Sequence, residues 1–245
     1  MKNVLLLKAG EAAASVRLSV GDYDRWFLQT LGLSGYRFDV VPAFQGAKLP
    51  EDAAGYDAVL MSGSPLSVTR LEPWMERAAR LMVDAAEKGV PVLGVCFGHQ
   101  LLAYAYGGRV VRSPLGREIG TVQVDLTEHG RADPLFRGLP ERLTVQATHE
   151  DIVPEPPAGT VVLAGNAHTA VQALAFRPCA RGVQFHPEVQ PDAMRALIQA
   201  RAERLEAEAT ERGQPPGERV PRLLAGIAPT PNGRQILVNF LEHFT

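Results

Sequence analysis

The sequence predicts an α/β protein, a three-layer sandwich with a mainly parallel central sheet and extra antiparallel strands in the second half. Three observations carry that reading. Short apolar runs alternate with helical patterns through the first half of the chain. The run 91–95 is apolar without alternation, as expected of a strand buried on both faces. The second half changes to brief alternating runs separated by turn residues, a meander that extends the same sheet rather than forming a second domain.

Taken in order, residues 3–7 are a short β-like run, and 22–33 place Trp26, Phe27 and Leu31 at helical offsets. Strands follow at 37–41 and 57–61, the second stopping at the turn composition Ser62-Gly63-Ser64-Pro65. Residues 73–88 form a helix: Pro73 suits its first turn, and Lys88-Gly89 supplies a basic last turn and a stop. Strand 91–95 leads into a helix at 99–106. Short links between strand and helix imply right-handed crossovers. Strands are then expected at 120–126, 143–145, 161–164, 171–176 and 182–185. Residues 193–212 are helical and rich in Ala, Glu and Arg, Gly213–Gly217 breaks the pattern, and 236–244 is a last amphipathic helix. One unit spanning 1–245 is expected, with a helical, Pro/Gly-rich insertion at about 200–233 whose charges read as a solvated face.

Composition narrows the function. The chain has 245 residues, 46% hydrophobic and 21% charged, with a net charge of −2. That balance argues against a general nucleic-acid binder, which carries a basic surplus. No stretch approaches the ~20 apolar residues of a membrane span, and the N-terminal apolar run, ended by Lys8, is too short for a signal peptide. A cytoplasmic protein is expected. Two cysteines, Cys96 and Cys179, cannot build a disulfide framework, and no Cys/His spacing suggests a metal site.

The most informative segment is Pro91-Val92-Leu93-Gly94-Val95-Cys96-Phe97-Gly98-His99-Gln100. An apolar strand runs into a cysteine and then a helix, the sulfur version of the strand–turn–helix elbow that presents a nucleophilic serine. Gly94 and Gly98 allow a sharp turn and close backbone approach. The new helix points its positive end at the sulfur and favours thiolate, and the Phe97 amide can help hold an oxyanion. A thiol nucleophile needs a base and a group to orient it. His186, in Gly182-Val183-Gln184-Phe185-His186-Pro187-Glu188, follows an apolar strand, and Glu188 stands two residues on. Cys179 reads as a loop thiol, His129 and His168 as surface turn residues, and Trp26 and Trp74 as helix packing. Arg112 and Arg117 flank a loop after the elbow helix. They read as solvent-exposed, with contact to an acceptor or a substrate carboxylate as the alternative.

The two motifs together, Gly94-Val95-Cys96-Phe97-Gly98-His99-Gln100 and Phe185-His186-Pro187-Glu188, resemble those of the class I (triad) glutamine amidotransferases, over about residues 1–195. The resemblance implies a flavodoxin-like fold, no cofactor, and glutamine or another γ-glutamyl compound as substrate. It implies Cys96 as nucleophile, His186 as base then acid, and Glu188 as its orienting group. Ser62-Gly63-Ser64-Pro65 resembles the family's loop facing the nucleophile, so the amides of Gly63 and Ser64 would complete an oxyanion hole with Phe97. That family usually has glycine where Ser64 stands. Gln100 matches a substrate-contacting position, and Thr148-His149-Glu150-Asp151 resembles the loop lining the glutamyl pocket. Two subgroups compete. GMP-synthase-type domains pass ammonia to a synthase; the chain has no room for an acceptor domain and no phosphate-binding P-loop, so either a separate subunit supplies the acceptor or there is none. Stand-alone γ-glutamyl peptidases release an amine instead, and the stretch 9–27 and the Cys-Phe-Gly-His-Gln wording look more like those. A regulatory subunit silent without its partner, and a redox-sensing cysteine, are the rivals from other classes.

Overall fold

Alternation along the first strands assigns each side chain to one face of a sheet. The computed structural model describes residues 1–32 and 34–245. In strand β1 (Lys2–Lys8), Leu5 and Leu7 face one way and Val4 and Leu6 the other. Helix α1 (Ala14–Val20) and helix α2 (Tyr23–Leu31) follow, then β2 (Tyr36–Pro42), β3 (Ala58–Met61), α3 (Pro73–Glu87), β4 (Val92–Val95) and α4 (Phe97–Ala105). Next come β5 (Val111–Arg112), β6 (Glu118–Leu126), α5 (Glu128–Ala132), β7 (Arg142–His149), β8 (Asp151–Ile152), β9 (Val161–Gly165), β10 (Ala173–Phe176) and β11 (Ala180–Val183). The chain closes with α6 (Pro191–Ala200), α7 (Ala202–Glu211), α8 (Arg219–Ala225) and α9 (Asn232–His243).

Nine strands form one sheet in the order β2-β1-β3-β4-β11-β10-β9-β6-β7. The pairs β1/β2, β1/β3, β3/β4 and β4/β11 are parallel, and the remainder, from β11 to β7, are antiparallel. β5 and β8 form a separate two-stranded ribbon. One face of the sheet packs Leu5, Leu7, Val59, Met61 and Val92 against Met75, Ala78 and Met82 of α3 and Leu101 and Leu102 of α4. The other packs Leu6, Leu60, Leu93 and Val95 against Phe27 of α2 and Phe240 and Leu241 of α9. Each such side chain, buried fully, contributes about 1.5–3 kcal/mol. Trp26 and Trp74 are both in the core, as helix packing predicted.

Helix starts follow local chemistry. The Asp22 side chain caps α2 by accepting from the Tyr23 amide at 2.9 Å and also takes the Ala12 amide at 2.8 Å. Its other oxygen pairs with Lys8 Nζ at 2.7 Å. Pro73 opens α3 at a position where its missing N–H costs nothing.

The structure departs from the sequence expectations at several places. The helix expected over 193–212 is two helices, broken at Arg201, whose φ of −111° and ψ of 12° leave the helical region. No Gly or Pro marks that break. α1 and α8 were not foreseen; α8 lies in the Pro/Gly-rich stretch and buries none of its residues. β6 and β7 are longer than the expected 120–126 and 143–145. The last strand ends at Val183 rather than residue 185, because its ladder follows β4 only through Val183–Val95. The end of the helix expected over 22–33, at Leu33, lies outside the described residues. Segment 200–233 packs back onto the sheet: Gly120 of β6 sits against Leu223 and Ile227. No helix among the described residues is long and apolar enough to cross a membrane.

Candidate active site

β4 delivers Cys96 to the carboxyl end of the parallel strands, where open α/β sheets place their ligands. The turn from β4 into α4 is so tight that Cys96 takes φ 51° and ψ −99°, the one non-glycine residue with positive φ among the described residues. Glycine neighbours permit it. A Cβ on Gly94 would stand 2.4 Å from the Gly98 carbonyl group, and a Cβ on Gly98 would stand 2.7 Å from Met61 O. The sharp elbow expected from the two glycines is present. Phe97 begins α4, so its amide has no intrahelical acceptor. The amides of Gly63 and Ser64 make no hydrogen bond among the described residues. Ser64 and Phe97 line the same cavity as Cys96, and Gly63 stands against the Cys96 side chain.

His186 arrives from the other direction. Past β11 the chain leaves the parallel ladder, and the His186 amide donates to Gln146 O of β7 at 2.8 Å. The imidazole is buried; its Nδ1 meets Glu188 Oε1 at 2.7 Å. Glu188 is itself fully buried, and its carbonyl accepts from Thr30 Oγ1 at 3.0 Å. Burial alone would push the His186 pKa down, but the Glu188 carboxylate and the adjoining Cys96 thiol outweigh it and raise it to about 10. The protonated imidazolium is the state this arrangement favours. Gly63 makes room for the ring: a Cβ there would stand 2.6 Å from His186 Cε1. The structure therefore brings Cys96, His186, Glu188, Gly63, Ser64 and Phe97 to one place.

The pocket-loop residues have defined roles in the architecture. Gln100 Nε2 donates to Asp151 O at 2.8 Å and to Gln184 Oε1 at 3.1 Å. Gln184, which sequence reasoning missed, is fully buried and donates to Cys96 Sγ at 3.6 Å. The i, i+2 spacing of Gln184 and His186 was the available signal. His149 is buried, with Nδ1 on Asp151 O at 3.1 Å and Nε2 on Glu118 Oε2 at 2.9 Å. Glu118 also accepts from Gln172 Nε2 at 2.7 Å and Asn166 Nδ2 at 2.7 Å. Burial works to raise the Glu118 pKa, but the His149 and Asn166 hydrogen bonds prevail and lower it. His168, read as a surface residue, is instead half-buried at the edge of this network, 4.0 Å from Glu118. Asp151 is held by the Ser67 hydroxyl.

Around the mouth lies a cavity of about 450 Å³ that takes in Cys96, Gln100 and the 148–151 loop. Arg117, read as exposed, is a half-buried member of its wall: it bonds Glu150 Oε2 at 2.7 Å and Glu208 at 3.2 Å. Arg112 pairs with the other Glu150 oxygen. Arg201 and Arg204 reach the same cavity from segment 200–233.

A cysteine on a strand–turn–helix elbow, with a buried histidine–carboxylate pair beside it at the carboxyl end of the parallel strands, defines an α/β protein with its candidate site at the strand ends. The particular family follows from comparison. The family model for glutamine amidotransferase class-I matches residues 20–202, and the chain belongs to that family. A glutamine-hydrolyzing GMP synthase subunit from Saccharolobus solfataricus is 36% identical over 171 residues, 69% of this chain and 86% of that protein. The glutamine-hydrolyzing GMP synthase of Aeropyrum pernix is 36% identical over 170 residues, but the match spans only 31% of that longer protein. Among solved structures, a glutamine amidotransferase from Methylobacillus flagellatus superposes with a TM-score of 0.75 at 25% identity, covering 99% of this chain and 93% of that one. One from Thermotoga maritima, at 22% identity, gives 0.74 and covers 99% and 97%; it shares the fold.

Proposed function

We propose that the protein hydrolyses a γ-glutamyl C–N bond, glutamine being the simplest substrate, through a thioester on Cys96. The carrying observation is the buried His186–Glu188 pair beside a thiol held at positive φ. The Cys96 thiolate attacks the γ-carbonyl, and the carbonyl oxygen takes the negative charge. The amides of Gly63, Ser64 and Phe97 stabilise that oxyanion. His186 gives its proton to the leaving nitrogen, the C–N bond breaks, and ammonia or an amine departs. Water then attacks the thioester carbonyl while His186 takes its proton. Collapse releases glutamate and returns the thiolate–imidazolium pair. Glu188 stabilises the imidazolium and fixes the ring. Gln184 and Gln100 orient the thiol and the 148–151 loop, and His149, Glu150 and Asp151 shape the glutamyl pocket.

Family membership and the relatives among GMP synthase subunits support glutamine as substrate and a separate synthase chain as partner. Glutamate release from glutamine by the purified chain tests the chemistry. Cys96→Ala is expected to abolish it while leaving the fold intact; full activity in that variant would overturn the reading. Glutaminase activity that appears only when a synthase is added would identify a partner-dependent enzyme.

A further inference from the structure

An oxyanion hole is effective when its amides are aimed before the charge forms. The loop 62–66, which carries two of the three amides assigned above, is fastened to one residue at the end of β1. The Ala9 amide donates to Ser62 Oγ at 2.9 Å, and the Ala9 carbonyl accepts from Ser64 Oγ at 2.8 Å. Ala9 and Ser62 are fully buried. The Ser62 amide donates to Leu7 O at 3.0 Å, which continues the β1–β3 pairing one residue past β3. Ser64 Oγ also accepts from the Leu66 amide at 3.0 Å and so closes the turn. The approach of the loop requires glycine at residue 10, where a Cβ would stand 2.6 Å from Ser64 Oγ and 2.7 Å from Pro65 Cδ. Ser64 occupies the position where the family usually has glycine, so its hydroxyl is a fastening that glycine cannot make.

A further bond sets the direction of the Ser64 amide. Ser62 Oγ donates to Gly63 O at 2.9 Å. The Gly63–Ser64 peptide is trans, so its C=O and N–H point to opposite sides. With the carbonyl held toward Ser62 and the end of β1, the Ser64 N–H is turned the other way. Gly63 stands there against His186 and the Cys96 side chain, and Ser64 lines the cavity that holds Cys96. The Ser64 amide makes no hydrogen bond among the described residues. Turned over, the same peptide would lose the Ser62 bond and present a carbonyl oxygen to the developing negative charge.

We propose that Ser62 and Ser64 are positioning residues that clamp this loop to Ala9 with the Ser64 amide aimed at the oxyanion, so that the chain hydrolyses its substrate without waiting for a partner to set the hole. This rests on the γ-glutamyl chemistry proposed above, and the test separates the two. It uses the purified full chain alone, as wild type, Ser62→Ala and Ser64→Gly. Three quantities are read: kcat for glutamine, the rate at which iodoacetamide alkylates Cys96, followed at that residue by mass spectrometry, and the glutamine concentration that protects Cys96 from it. Alkylation is a displacement of iodide by sulfur and forms no oxyanion, so its rate reports the thiol and its surroundings, and protection reports binding. Ser62→Ala is expected to lower kcat about 10- to 100-fold, approaching the loss of one oxyanion donor. Ser64→Gly is expected to lower it about 2- to 10-fold, the equivalent of one neutral hydrogen bond. Alkylation and protection are expected to match wild type in both. An unchanged kcat in either variant overturns the clamp. So does a loss of kcat matched by equal losses in alkylation and protection, the pattern of a merely structural role. Should Ser62→Ala fail to fold, Ser64→Gly, which carries the residue usual in the family, decides alone. A wild-type chain that glutamine protects but that hydrolyses none of it overturns the clamp and leaves the γ-glutamyl site standing. Neither protection nor hydrolysis, with glutamine or with γ-glutamyl dipeptides, refutes the proposed reaction itself.

Discussion

At the residue scale the proposed chemistry depends on two close approaches. The raised His186 pKa sets a pH window. A histidine whose folded pKa of about 10 exceeds its ordinary 6.5 keeps its proton until pH passes the folded value. The imidazolium therefore survives through neutral pH and is lost on the alkaline side. kcat/KM for glutamine is expected to hold level from about pH 7 to 9 and to fall near 10. Glu188→Gln removes the main charge that raises the pKa. Its alkaline limb should move to lower pH, with kcat/KM reduced ~10²–10⁴-fold; a limb that stays in place would exclude Glu188 from that role. Gly63→Ala probes the other approach. The added methyl meets the buried imidazole, so kcat/KM should fall sharply, and overpacking lowers the melting temperature as well.

At the element scale the strand–turn–helix is sealed by backbone contacts. Gly94→Ala drives a methyl into Gly98, and overpacking of this kind costs about 1–3 kcal/mol. Thermal melting should show the loss. This element was legible in the sequence because Gly94, Cys96 and Gly98 are local, and local geometry dictates the residue types. Cys96, just past β4, and His186 and Glu188, in the turn beyond β11, were singled out from their neighbouring residues in the same way. Arg201 was not, because nothing in Gln199-Ala200-Arg201-Ala202 breaks a helix. The break follows from the burial of Leu205 and the bond to Thr148, which are tertiary contacts overriding propensity. Arg117 was misread as exposed because its partners, Glu150 and Glu208, stand 33 and 91 residues away. Gln184 was missed because a buried polar side chain in a strand is readable only once its neighbours across the sheet are known.

Across the whole molecule, Glu118 ties together β6, β7 and the turn between β9 and β10 through His149, Asn166 and Gln172. Its pKa is lowered, so its contribution to stability is present above the unfolded value of about 4.5 and is lost as pH falls through the folded one. The melting temperature should drop on acidification below about pH 4.5, and Glu118→Gln should flatten that decline. At neutral pH the same variant should lose roughly 3–5 kcal/mol, since it leaves donors facing an amide. A stability curve indifferent to Glu118→Gln would deny the network that role. The φ of 51° at Cys96 also has a thermodynamic reading. Conformations of this kind cost about 1–3 kcal/mol in any residue that carries a Cβ, more than the flexibility penalty of glycine. Two inactive proteins expose the difference: Cys96→Gly should melt above Cys96→Ala, reversing their usual rank. The native fold thus sacrifices thermal resistance at Cys96, and on the proposed mechanism selection for heat tolerance alone would erode activity at this position.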